Sequence, residues 1–198
     1  MAKWKIVLVL VAVVTFGVTL ASADTLQLQS APYGQAGPYL FSVNGSSTLT
    51  PLICYSEKNL ITYGEQWTVQ EFTISTVGSI SGDFAGSVTQ YNELGYLANE
   101  LFASPGNADI QNAIWAVLNT GGAQNSYYWG AVNFVTANPG YQTSDVFYIP
   151  VGDFSKLPYG EPQPFIGRAT VPEPASLLLL GAGLLGLVGT NRKKKLLG

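Results

Sequence analysis

The chain has 198 residues, no histidine, one cysteine and a formal net charge of −3. Without His, Ser-His-Asp and Cys-His catalysis are excluded and the commonest zinc ligand is missing, while a lone Cys54 closes no internal disulfide. Six of the nine cations (Lys3, Lys5, Arg192, Lys193, Lys194, Lys195) lie in the terminal segments, so residues 24–171 set Lys58, Lys156 and Arg168 against eleven acidic residues, a net of −8 that argues against a nucleic-acid surface.

Taken from the start, residues 1–23 carry Lys3 and Lys5, an apolar run over 6–20 and Ala21-Ser22-Ala23 before Asp24, which reads as a cleavable secretory signal. Residues 24–156 then form the mature domain. Alternation over 39–43, the turn pair Asn44-Gly45 and a second arm over 48–55 predict a hairpin that delivers Cys54 near a strand end. A strand starts at Glu65. There Trp67 and Val69 alternate with polar neighbours, and Phe72 and Ile74 resume the pattern after a one-residue slip, which predicts a bulge at Gln70 or Glu71.

The period then changes. Leu94, Leu97, Ala98, Leu101 and Phe102 predict a helix over 89–103 that stops at Ser104-Pro105-Gly106. Asn107 caps a second helix over 108–118, with Ile110, Ile114, Val117 and Leu118 on its buried face and Gly121-Gly122 after it. A third, short helix covers 127–136, and a last strand 145–150. Residues 157–174, rich in Pro, read as a spacer. The order of elements predicts an α+β domain, a β-sandwich or open β-barrel with a two- to three-helix insertion, flanked by the signal helix and a C-terminal transmembrane helix. Most of the aromatic residues, Trp67, Trp115 and Trp129 among them, are expected to pack the core, with an aromatic carbohydrate platform as the alternative.

Residues 175–190 hold no charge and as a helix span roughly 24 Å, short of a bilayer's ~30 Å core, so a temporary anchor fits better than a permanent one. Arg192, Lys193, Lys194 and Lys195 in the 191–198 tail are costly to translocate, which predicts an N-out, C-in orientation. Gly181-Ala182-Gly183-Leu184-Leu185-Gly186 satisfies G-x-G-x-x-G but lacks the strand that a dinucleotide site requires, and is read as helix-packing surface. Val171-Pro172-Glu173-Pro174, the apolar run and the basic cluster together resemble the PEP-CTERM sorting signal. That resemblance implies recognition by an exosortase, release from the membrane and a final place on the cell surface or in the exopolysaccharide matrix. A tail-anchored envelope protein with a stiff Pro-Glu-Pro linker is the alternative.

A second resemblance concerns the domain itself. Leu52-Ile53-Cys54-Tyr55 and Ile110-Gln111-Asn112-Ala113-Ile114-Trp115 resemble the two signature segments of bacterial thioester domains. The resemblance implies that Cys54 supplies the sulfur and Gln111 the carbonyl of an internal thioester that acylates an amine on a partner, as in covalent surface adhesins. The alternative is that Cys54 is a small buried apolar residue and Gln111 a surface residue of an amphipathic helix. Activation of Cys54 has no His or neighbouring Lys to draw on, and falls to backbone N–H groups or a carboxylate. The chain is thus expected to be a non-enzymatic, cofactor-free and metal-free structural or adhesion protein, with exosortase, the membrane, exopolysaccharide or surface amines as partners. A covalent adhesin, a carbohydrate-binding module and a two-carboxylate glycosidase stand beside it.

Overall fold

A computed structural model of the chain describes residues 23–169. The signal segment up to residue 22, the sorting residues Val171, Pro172, Glu173 and Pro174, the 175–190 helix and the basic tail lie outside the described residues.

The described chain folds in the order β1 (Asp24–Ser30), β2 (Tyr39–Val43), β3 (Leu49–Cys54), β4 (Gln66–Phe72), α1 (Val88–Ala103), α2 (Ala108–Val117), α3 (Ser126–Ala137), β5 (Val146–Pro150) and β6 (Phe165–Gly167). The six strands form a closed antiparallel barrel in the order β1-β2-β3-β6-β5-β4, with β4 returning to β1. This corrects the sandwich and the open barrel. Closure leaves no unpaired sheet edge. The closing piece is β6, three residues long, which pairs Phe165 with both Cys54 of β3 and Tyr148 of β5. It lies within the stretch read as a spacer, so the barrel extends through Gly167 and residues 157–167 belong to the domain.

The hairpin turn is as its residues demand, with Asn44 and Gly45 at φ of 52° and 74°. No bulge interrupts β4 where one was predicted: its register against β5 runs unbroken from Val69↔Pro150 to Phe72↔Phe147. The apolar slip instead marks a change of buried face. Trp67 and Val69 join the barrel-interior cluster with Leu26, Leu28, Phe41, Leu52, Cys54, Tyr148 and Phe165, whereas Phe72 joins Ile53, Tyr55, Phe147, Ile149 and Ile166 in the cluster beneath the helices. Alternate residues of one strand thus serve two cores.

The helices begin where side chains cap them. Ser87 and Gln90 form a reciprocal capping box at α1, while Asn107 and Asn125 each accept two backbone N–H groups at the starts of α2 and α3. Each such cap is worth about 1 kcal/mol. In mid-α1, Gly95 lets Thr143 approach so closely that an added Cβ would fall 2.2 Å from its Oγ1. Thr143 has little room to retreat, since its N–H donates to Asn92 Oδ1 at 3.0 Å and its hydroxyl to the buried Asp145 carboxylate. Burial pushes the Asp145 pKa up, against the hydrogen bonds from Thr143 and Asn99 and the charge of Arg168.

Gly→Ala inside a helix ordinarily stabilises by up to ~1 kcal/mol. Here the sign is expected to reverse. Gly95→Ala should lower stability by about 1–3 kcal/mol through overpacking, read as a lower denaturant midpoint at unchanged slope.

Candidate functional site at the end of strand β3

Cys54 is the last residue of β3, faces the barrel interior and is fully buried. Gln111 sits in the first turn of α2, its N–H bonded to the carbonyl of the N-cap Asn107 at 3.1 Å. The structure brings the two together. Gln111 Nε2 donates to the backbone carbonyl of Cys54 at 2.8 Å, across 57 positions of sequence. The surface-residue alternative for Gln111 is corrected, since the residue is only 1 % exposed.

One turn further along α2, Trp115 enters the barrel-interior cluster, so a single helix face carries both Gln111 and a barrel-filling indole. The segment after α2 then folds back on the exit of β3. Thr120 Oγ1 bonds both Tyr55 O and Trp115 O, at 2.9 and 3.0 Å, and Gly122 N–H donates to Glu57 Oε2 at 2.8 Å. These contacts hold β3 and α2 in one register.

The polar atoms of the site are incompletely matched. Gln111 Oε1 and Trp115 Nε1 are buried without a hydrogen-bond partner. A buried unsatisfied polar atom costs about 1–3 kcal/mol, so an ordinary core would not retain a glutamine here without a use for it. Gly37 packs against the same amide: a Cβ there would lie 3.0 Å from Gln111 Oε1. At the sulfur, the thiol donates to the carbonyl of Ser56 at 2.9 Å. Burial pushes the Cys54 thiol up to about 12, opposed by the Ser56 backbone and the Trp115 indole and reinforced by the Glu57 carboxylate. Trp115 shares the barrel-interior cluster with Cys54, and its Nε1 makes no hydrogen bond among the described residues.

A pocket of about 220 Å³ opens beside this pair, with Tyr39, Glu57, Leu60, Tyr63 and Trp115 among its lining residues. Neither Glu57 nor Gly37 is singled out by residue type. The signals for them were position alone, three residues after Cys54 and immediately before the Pro38 that leads into β2. A second groove, of about 460 Å³, carries Asp83 and Glu161. Burial and the charge of Asp83 raise the Glu161 pKa. This is where two carboxylates share one groove. Trp129, an aromatic expected in the core, is instead 51 % exposed on α3.

Among the described residues no helix is long and apolar enough to cross a membrane, and no group of three or more Cys, Asp or Glu is placed to hold a metal ion. Beyond them, residues 170–193 match the family model described as the PEP-CTERM protein-sorting motif. The tail is a PEP-CTERM sorting signal. The match covers Val171, Pro172, Glu173 and Pro174 as well as Arg192 and Lys193, and the PEP-CTERM signal makes the chain an exported protein held in the membrane before exosortase processes it. No curated protein and no solved structure matches the chain.

The thiol chemistry has a direct check. In Gln111→Met, where no amide carbon is available to the sulfur, burial should still hold the Cys54 thiol well above its ordinary pKa and protonated at pH 8. Folded Gln111→Met should therefore resist iodoacetamide at pH 8 and react once denaturant is added. Prompt labelling of the folded variant would show that the thiol is neither buried nor raised in pKa.

Proposed function

We propose that the protein is a surface-displayed adhesion protein that attaches covalently to its partner, through a thioester between Cys54 Sγ and the side-chain carbonyl carbon of Gln111. The observation that carries the reading is the buried amide of Gln111, fixed against Cys54 by one hydrogen bond with its oxygen unpartnered. In the forming reaction the sulfur bonds to the Gln111 carbonyl carbon, the carbon–nitrogen bond breaks, and the nitrogen leaves as ammonia with the thiol's proton. A thiol and an unactivated amide do not react in free solution, and holding them together can supply ~7–11 kcal/mol of the barrier. An amine on a partner then displaces the sulfur and leaves an amide bond. One bond forms per molecule, so the protein is a single-use reagent and not an enzyme.

The sorting signal suits this use. It sends the domain outward with the C-terminus held inside, and processing then leaves it at the cell surface or in the exopolysaccharide matrix, where amines on neighbouring polymers or cells are the targets. The low charge and aromatic content of the barrel interior keep water from the bond until an amine arrives.

Two outcomes test the proposal. Cells displaying the wild type should take up a fluorescent primary amine into a band that survives boiling in detergent. Cys54→Ala and Gln111→Ala should lose that band at unchanged surface abundance. Deleting residues 171–198 should remove the protein from the surface fraction. Labelling that persists in Cys54→Ala would return the domain to a passive matrix component.

A further inference from the structure

The thioester reading leaves open how an amine reaches a fully buried sulfur. At neutral pH an alkylamine is almost wholly an ammonium ion, with a neutral fraction on the order of 10⁻³ to 10⁻⁴, and only the neutral form attacks a carbonyl carbon. A site that uses amines therefore gains from holding the cation close, so that a proton lost to solvent leaves the neutral amine already in place. Resting on that reading, we propose that the pocket beside Cys54 is the docking site for the alkylammonium group of the partner, and that the Glu57 carboxylate draws it in and holds it there.

The lining matches such a guest at both ends. Among the described residues that line the pocket, Glu57 is the one charged side chain, and the rest are apolar, aromatic or neutral polar. Leu60 and Tyr63, 55 % and 67 % exposed, offer a surface for an aliphatic stem. Tyr39 and Trp115 form the buried part of the wall, and they are the same residues that border the sulfur. Both belong with Cys54 to the barrel-interior cluster. The pocket thus runs from an apolar mouth past a carboxylate to Tyr39 and Trp115, the side chains that cover Cys54 in the barrel-interior cluster.

The carboxylate is held in place. Gly122 N–H fixes Oε2 at 2.8 Å, and an added Cβ on Gly121, whose φ is +143°, would fall 2.1 Å from that oxygen. Only glycine at 121 lets Glu57 sit where it does. The Gly121-Gly122 pair, which the sequence presents as a helix stop, also seats the carboxylate. The net charge of −8 over residues 24–171 favours a cation over the whole approach.

The steps balance without any further reagent. The docked ammonium loses one proton to solvent water. The neutral amine bonds to the Gln111 carbonyl carbon, the carbon–sulfur bond breaks, and the second proton lost by nitrogen ends on Cys54 sulfur. The product is a secondary amide on Gln111 and a free thiol.

The test follows adduct formation by intact mass on the full-length protein in detergent, for wild type and Glu57→Gln. Each is first examined for the loss of one ammonia, then treated at pH 7.5 with n-pentylamine, a cation with an alkyl stem, or with hydroxylamine, which is largely neutral there. Glu57→Gln should slow the pentylamine reaction about tenfold or more and leave hydroxylamine within about twofold, because only the cation needs the carboxylate. Equal effects on both nucleophiles, or none on either, would overturn the role of Glu57 and leave the thioester standing. A wild type without the ammonia deficit would overturn both. If Glu57→Gln itself lacks the deficit, the wild type gives the same discrimination: added salt should slow pentylamine alone, and a salt-independent rate would overturn the proposal.

Discussion

The site depends on how α2 is seated against the end of β3. Trp115 reaches into the barrel-interior cluster and fixes the helix in rotation and depth. With that anchor set, Gln111 one turn earlier has no direction to point except at the Cys54 carbonyl. Thr120, bonded to Tyr55 O and Trp115 O together, stops the two elements from sliding apart. A shift of a single residue in either element would turn Gln111 away and leave a buried amide with nothing to bond.

Much of this was legible in the sequence, for identifiable reasons. The first two helices announced themselves through periods of three and four, and α2 also through its cap Asn107, whereas Ser87 and Asn125, which cap α1 and α3, emerge only from the structure. The β2–β3 hairpin followed from Asn44-Gly45. What escaped was the closure. β6 is three residues long and shows no period, and its partners are 111 residues away at Cys54 and nearby at Tyr148. The β4 slip was legible as a break in pattern but not in its meaning, because a strand whose buried side switches at Phe72 from one core to the other mimics a bulge when only apolar positions are counted.

The candidate site divides in the same way. Cys54 and Gln111 stand in recognisable segments and the fold unites them. Glu57, Gly37 and the Gly121-Gly122 contact depend on backbone conformation and on approach distances, which no local pattern encodes. Composition did constrain the chemistry. With no His in the chain, a buried thiol pushed up to about 12 is a poor free nucleophile, so the proposed thioester relies on confinement beside the amide and not on ionisation. The sorting motif at residues 170–193 marks the chain for export.

The central claim is that Cys54 and Gln111 are joined, and peptide mapping of the full-length protein, digested at acidic pH without reductant or amine, tests it most directly. The account requires the Cys54 peptide and the Gln111 peptide to appear as one cross-linked species, lighter than their sum by one ammonia and split by hydroxylamine. Two separate peptides of unmodified mass, with Cys54 fully alkylatable after unfolding, would contradict it.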